Sequence, residues 1–322
     1  MAAELYKDII KITVPTPFPI GDVNTYLIKG DRLTLIDAGI RTAEAKEAFE
    51  AGLNKAGYHL PDIEQVILTH HHPDHIGLLD EFNVPIYGHE YAGNWLSYNE
   101  PFMHWRKEFF SALFKEFGIP AAMHKMAGNL EKTLRFGSQK SRLSGFLKEG
   151  DTVPGLPDFR VFETPGHAQS HLVFYREKDG LLLAGDHILK TVSSNPLIEP
   201  PQERGEARAK SLLQYNDSLT KLIDLDIGRV MTGHGQDMAR LQPLLERRLE
   251  RQHERAMLVL SMLRSEPMTV FSICTQLFPE VYQKETGLTL SETVGQVDYL
   301  LEQESISVDR IEKDGAIYYG AH

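Results

Sequence analysis

The chain has 322 residues, 42% hydrophobic and 25% charged, with a formal net charge of −11 and a single cysteine. That is the balance of an ordinary globular protein with room for one large core plus a smaller domain. The acidic total disfavours tight electrostatic binding to nucleic acid, the lone cysteine excludes an intrachain disulfide framework, and no apolar run approaches the ~20 residues of a membrane span.

The first residues run into a strand without a secretory apolar stretch, so a cytoplasmic protein with no membrane partner is expected. Ile9 to Val14 and Asn24 to Lys29 read as strands joined by a Pro/Gly loop. Leu33 to Ile36 is a further strand, ending at the turn Asp37-Ala38-Gly39. Thr42 to Gly57 is amphipathic, with Thr42 as N-cap and Gly57 closing the helix. The apolar run Val66-Ile67-Leu68 then opens into Thr69-His70-His71-His72-Pro73-Asp74-His75, with a helix expected from near Ile76 and a short strand at Val84 to Tyr87.

That histidine-rich stretch packs four metal-ligand types, His70, His72, Asp74 and His75, into six residues. Imidazole and carboxylate together are what Zn²⁺ and similar cations bind. An extended strand end throws His70 and His72 to one side, because side chains alternate with period two. The turn at Pro73 can aim Asp74 and His75 at a second point, which suggests two metal positions. Three downstream strands also end in ligand-type residues beside glycine. Phe159 to Phe162 precedes Thr164-Pro165-Gly166-His167, Leu181 to Ala184 precedes Gly185-Asp186-His187, and Arg229 to Thr232 precedes Gly233-His234-Gly235. Glycine beside a ligand permits a sharp turn and keeps Cβ atoms away from the metal.

With His70, His72, Asp74, His75, His167, Asp186 and His234 in this order, the chain resembles the metallo-β-lactamase fold hydrolases over roughly Ile10 to Gln236. The resemblance implies an α/β, four-layer αββα sandwich with a metal pair at one edge. It places His70, His72 and His167 on the first metal, Asp74, His75 and His234 on the second, and Asp186 between them. Two zinc ions are the implied cofactors, with iron or manganese as alternatives. His71, His89, His104, His124 and His253 match no motif position and read as structural or surface residues. His171 and His187 sit beside candidate ligands and read as bracing or packing residues, while Cys274 lies far from the motifs.

In such two-metal sites the ions lie about 3.5–4 Å apart and bring the pKa of a shared water towards ~7, and the resulting hydroxide attacks a carbonyl or phosphoryl centre. Asp74 is the candidate catalytic residue, able to orient that hydroxide and carry its proton. Common zinc β-lactamases carry cysteine where this chain has Asp186, and the diiron oxygen-reducing relatives carry glutamate where it has His72. The reading favoured is therefore a dinuclear zinc hydrolase of a small-molecule thioester or carboxylic ester, lactones included, resembling glyoxalase II-type thioesterases. A metal-dependent endoribonuclease or phosphodiesterase stands second, and a mononuclear iron persulfide dioxygenase third.

The sequence divides into a metal-binding domain over residues 1–240, with a helical insertion at about 94–146, and a second domain over 241–322. The insertion carries Trp95, Tyr98, Phe102, Trp105, Phe109, Phe110, Phe114 and Phe117. It reads as an αα-hairpin packing a core or a homodimer contact, or else as a cap lending an apolar wall to the substrate. The tail reads as helices over Leu241 to Leu263, Thr269 to Leu277 and Thr289 to Glu302. A hairpin around Lys313-Asp314-Gly315 follows them, an order that resembles a winged helix. The recognition-type helix from Thr289 has Glu292, Asp298 and Glu302 but no Lys or Arg, so nucleic acid ranks behind a small molecule as partner.

Overall fold

The computed structural model describes residues 6–126 and 132–322. The chain gathers into two compact units, each assembled from separated stretches: Met1–Asn99, Thr133–Ser194 and Lys221–Gln242 in the first, and Glu100–Lys132, Asn195–Thr220 and Pro243–His322 in the second.

The first unit holds two sheets. One is ordered β1 (Ile9–Val14), β2 (Val23–Lys29), β3 (Leu33–Ile36), β4 (Gln65–Ile67), β5 (Ile86–Gly88) and β6 (Gly145–Phe146). It is antiparallel from β1 to β3 and parallel from β3 to β6. The other runs from β7 (Thr152–Val153) through β8 (Leu156–Glu163), β9 (Leu172–Arg176) and β10 (Leu181–Leu183) to β11 (Arg229–Met231). Alternation along β2 shows how the layers close. Val23 and Leu27 join one core with Phe49 and Leu53 of helix α1 (Ala43–Lys55), while Tyr26 and Ile28 join another with Phe159, Val161 and Phe174 of the facing sheet. A strand covered on both faces is apolar at successive positions rather than every second one, which is why β2 reads as a nearly continuous buried run.

Helix α1 has the predicted caps. The Thr42 hydroxyl accepts from the Ala45 amide at 3.1 Å. At the other end Gly57, at φ +83°, donates to the Asn54 carbonyl at 3.0 Å, and Tyr58 donates to that of Leu53 at 2.9 Å. This pair of bonds satisfies carbonyls the helix end would otherwise orphan, and glycine adopts the left-handed conformation without a Cβ penalty. Truncating Phe49, 1% exposed at the centre of this face, would cost about 3–5 kcal/mol. The next helix, α2 (Pro73–Ile76), starts three residues before the position expected from the sequence. Proline's fixed φ and missing N–H suit the first helical position, so Asp74 and His75 lie on a helical turn. A short α3 (Gly93–Leu96) follows β5.

The second unit contains α4 (Glu100–Glu116), α6 (Gln242–Ser265), α7 (Val270–Leu277), α8 (Thr286–Glu302) and most of α5 (Ser211–Ile223). Its sheet is ordered β12 (Met268–Thr269), β14 (Ile317–Ala321), β13 (Ile306–Ile311). Of the aromatic segment, where an αα-hairpin was expected, Trp95 lies on α3 and Phe102 to Phe114 on the long helix α4, while residues 127–131 lie outside the described residues. Phe109, Leu113 and Phe117 pack with Val259, Leu263, Ile273 and Val297 in the core of this unit, the packing reading of those aromatics. Every residue of α8 from Thr289 to Asp298 is buried. Glu292 meets Arg255 there, and Asp298 takes both Arg208 nitrogens, at 2.7 and 2.8 Å. The acidic residues Glu292 and Asp298 are thus internal ion-pair partners. Among the described residues no helix is long and apolar enough to cross a membrane.

Candidate metal centre

Five loops of the first unit leave the C-terminal ends of β3, β4, β8, β10 and β11. Parallel pairing of β3 with β4 and of β10 with β11 sends their loops the same way. The loop after β4 brings His70, His72, Asp74 and His75; that after β8 brings His167; those after β10 and β11 bring Asp186 and His234.

All seven candidate residues meet. His70, His72 and His167 form one group, Asp74, His75 and His234 another, and His70, His75 and Asp186 a third, with the candidate donor atoms of each group within 4.8 Å of one another. His70 Nε2 lies 3.0 Å from His72 Nδ1, and the His167 ring centroid is 4.7 Å from that of His72. Asp186 occupies the middle. Its Oδ1 is 3.4 Å from His75 Nε2, and its Oδ2 is 3.8 Å from His167 Nε2 and 3.3 Å from His234 Nε2. Asp74 Oδ2 stands 3.2 Å from His234 Nε2. Asp186 is thus a carboxylate within reach of rings from both histidine groups.

The far side of each ring explains its orientation. His75 Nδ1 donates to Asp37 Oδ2 at 2.8 Å, and His234 Nδ1 donates to the Asp22 carbonyl at 2.8 Å. His70 Nδ1 lies 3.0 Å from the Thr69 hydroxyl, which itself donates to Asp37 Oδ2 at 2.7 Å. In the neutral ring, donating from Nδ1 leaves Nε2 as a lone pair facing the site, the form a metal-binding imidazole takes. The Asp37 carboxylate and Thr69 hydroxyl were not singled out as functional in the sequence. Their signal is a short one, an acidic residue and glycine at the end of a strand, the pattern also seen around Asp186.

Glycines make the approach of these loops sterically feasible. A Cβ on Gly233 would sit 2.1 Å from Asp186 Oδ1, and one on Gly185, at φ +48°, would sit 2.9 Å from Thr69 Oγ1. His171 braces the same junction, its Nε2 accepting from the Asp186 and His187 amides at 3.2 and 3.1 Å while Nδ1 meets Thr164 Oγ1 at 2.9 Å. His71 bonds Ser170 Oγ at 2.7 Å and stacks on Trp95 with ring centroids 4.3 Å apart. Outside the site, His89 caps a turn, His104 pairs with Glu108, and His124 and His253 bond Ile119 and Tyr299. Cys274 is buried in the core of the second unit.

Burial and charge oppose each other throughout the centre. Burial alone would raise the Asp186 carboxyl, yet the His234 and His75 rings outweigh it and hold the carboxyl well below its ordinary value. Burial likewise acts against a charged His234, but Asp186 and Asp74 push it up to about 10, and Asp186 and Asp37 raise His75. His70 goes the other way, driven well below its ordinary value by burial and then by the charge of His75. The buried carboxylates draw positive charge into the centre, which the rings supply by holding protons and a bound cation would supply in their place. His75 Nε2, His234 Nε2 and Asp186 Oδ1 are moreover buried without a hydrogen-bond partner among the described residues. Buried polar atoms of that kind are rare without a metal, water or proton to meet them, and imidazole plus carboxylate suits a divalent cation. The donor set fits metal.

Comparisons with known proteins agree with the geometry. The chain is 45% identical over 303 residues to Probable metallo-hydrolase YqjP of Bacillus subtilis (strain 168), covering 94% of each chain. It superposes on the crystal structure of metallo-beta-lactamase family protein TTHA1429 from Thermus thermophilus with TM-score 0.82 and 27% identity, over 99% of this chain and 100% of that one. A shorter likeness, 28% identity over 149 residues, relates it to hydroxyacylglutathione hydrolase of Bdellovibrio bacteriovorus, spanning 45% of this chain and 41% of that protein. The profile of the metallo-beta-lactamase superfamily matches residues 19–234, which begins before β2 and ends on His234. The chain belongs to the metallo-β-lactamase superfamily.

Proposed function

We propose that this metallo-hydrolase works with two zinc ions, one held by His70, His72 and His167 and the other by Asp74, His75 and His234, with Asp186 shared, and that it hydrolyses a thioester or carboxylic ester, lactones included. The observation that carries the reading is the second ligand group. A single-metal enzyme needs only one set of ligands, whereas Asp74, His75 and His234 form a complete further set whose two rings present buried, unpartnered nitrogens.

Bound zinc supplies Lewis acidity and lowers the pKa of a water towards ~7. The residues supply the rest. Asp74, within 3.2 Å of His234 Nε2, is ionised at neutral pH: burial raises its carboxyl, but the adjacent His234 ring and the charge of His75 bring it below its ordinary value. Its free oxygen can accept the proton lost by the attacking water and hold that water in line with the carbonyl carbon. Asp37, through Thr69 and directly, keeps the His70 and His75 lone pairs aimed inward. No serine or cysteine nucleophile is needed.

The thioester preference is supported by the likeness to hydroxyacylglutathione hydrolase. RNA is disfavoured by the second unit: the winged-helix order of α7, α8, β13 and β14 is present in sequence, but the helix that would read nucleic acid is buried from Thr289 to Asp298 and pairs its buried carboxylates Glu292 and Asp298 with Arg255 and Arg208 of the same unit. We assign this module a packing role. A panel of acyl thioesters, aryl esters, lactones and short RNAs tests the proposal. Zinc-dependent turnover of the acyl substrates, abolished by chelation and restored by zinc, is expected; cleavage of RNA alone would overturn it.

A further inference from the structure

The loop carrying His234 is Gly233-His234-Gly235, with Gly235 at φ +72°. Two glycines around a ligand leave the backbone loose, because glycine restricts its conformation less than any other residue. Within the loop, the Thr232 hydroxyl donates to the His234 carbonyl at 2.7 Å. The other three carbonyls are held from outside, and one residue reaches all of them. The Asn24 amide nitrogen donates to the Thr232 carbonyl at 2.9 Å and to the Gly235 carbonyl at 3.1 Å, and the Asn24 backbone N–H donates to the Gly233 carbonyl at 2.7 Å. Tyr26 and Lys11 add single bonds, the hydroxyl to Thr232 and the ammonium to Gly235, at 2.7 and 3.3 Å. Each of those grips one end of the loop, whereas the Asn24 side chain ties the two ends together. Asn24 Oδ1 accepts from the Thr13 hydroxyl at 2.8 Å. That last bond settles which way the amide faces, since carbonyls only accept and a hydroxyl can donate. Asn24 is 2% exposed, and both of its amide protons are spent on this clamp.

We propose that Asn24 is a positioning residue for the second metal position, holding the 232–235 backbone so that His234 Nε2 stays within reach of Asp74 and Asp186. This rests on the two-metal reading above. Asn24 acts through the loop backbone and bonds none of the seven candidate ligands by its side chain. Losing the clamp uncouples the two ends of the loop and lets the Gly-His-Gly segment relax away from the site, whereas His70, His72 and His167 ride on other loops and feel nothing.

The test is zinc affinity, measured position by position by competition with a chromophoric chelator, with cobalt(II) absorption reporting coordination. Asn24→Asp keeps the shape and the bond from Thr13 but replaces both donors by an oxygen facing carbonyls. The variant should weaken one zinc by about 10- to 100-fold, the range seen when ring-orienting groups are removed, and leave the other as in the wild type. Thr13→Val, a gentler change that frees the amide to rotate, should show the same selectivity at smaller size and serves if Asn24→Asp does not fold. Asp80→Asn, destabilising through a distant turn, should lower thermal stability while both affinities stay equal to wild type. Variants that bind both zincs normally, or lose both in equal proportion, would overturn the role of Asn24 alone. A wild type that takes up a single metal would overturn the two-metal reading and this proposal with it.

Discussion

Asp37 Oδ2 accepts from His75 Nδ1 at 2.8 Å, and the same oxygen accepts the Thr69 hydroxyl at 2.7 Å, which in turn faces His70 Nδ1 at 3.0 Å. One carboxylate therefore orients a ring in each of the two candidate ligand groups. The contact spans 38 residues and exists because β3 and β4 are parallel neighbours, with Ile36 opposite Ile67.

Asp37→Asn follows directly from that relationship. Asp37 has φ +59°, a conformation that Asn tolerates and Ala does not, so the amide variant isolates electrostatics from backbone strain. It keeps one acceptor and loses the charge. Zinc affinity should fall at both positions, by about 10- to 100-fold, with kcat reduced and the far-ultraviolet circular dichroism unchanged. Unaltered affinity at both positions would remove Asp37 from the account.

The glycines flanking His234 should separate cleanly. A Cβ at Gly233 meets Asp186 Oδ1 at 2.1 Å, while one at Gly235 meets nothing within 4 Å. Gly233→Ala should lose metal and activity together. Gly235→Ala should cost only the backbone penalty of its positive φ, about 1–2 kcal/mol, read as a lower Tm with metal content retained. The opposite ordering would show that the loop is packed differently.

Much of this was legible beforehand, for a physical reason. Short strands buried on both faces, such as β4 and β10, leave compact apolar runs that end where the chain must turn, so His70 to His75 and Asp186 stand out after them. His167 and His234 follow an alternating strand and a partly buried one and are marked by their flanking glycines. Contacts joining distant strands leave no such mark: neither the use of Asp37 by two rings nor the reach of Asn24 across to Gly235 follows from spacing. The aromatic segment shows the limit for helices. Its composition left a packing hairpin and a substrate cap both open, and the apolar residues recurring through Phe117 mark neither the break between α3 and α4 nor the end of α4 at Glu116. Periodicity also missed the early start of α2, which Pro73 dictates.

A pH signature is expected from Asp80, a residue away from the metal ligands. Burial raises its carboxyl, but bonds from the Ser141 and Ser138 hydroxyls and from the Gln139 and Lys140 amides prevail and lower it. A carboxyl whose folded pKa is depressed contributes stability that is present above its unfolded value, about 3.9, and lost as pH falls through the folded value. Asp80→Asn should therefore lower stability at pH 7, and its deficit should narrow as pH drops below about 4. Urea unfolding at pH 7, 5 and 3 reads this; a deficit constant with pH would assign the effect to packing.

In the second unit the Arg208–Asp298 pair gives an independent check. Asp298 is 5% exposed at its side chain and bonds both guanidinium nitrogens. Removing one partner of a buried pair strands the other, so Asp298→Ala should cost about 3–5 kcal/mol in urea unfolding. A loss near zero would mean that α8 is solvated and would reopen the nucleic-acid reading.

The central claim is that two ligand groups hold two zinc ions, and metal content per chain tests it most directly. Protein purified without added metal and assayed by plasma mass spectrometry should carry close to two zincs, falling towards one in Asp74→Ala and in His234→Ala. One metal per chain in the wild type, or iron in place of zinc with oxygen consumed on a persulfide substrate, would contradict it.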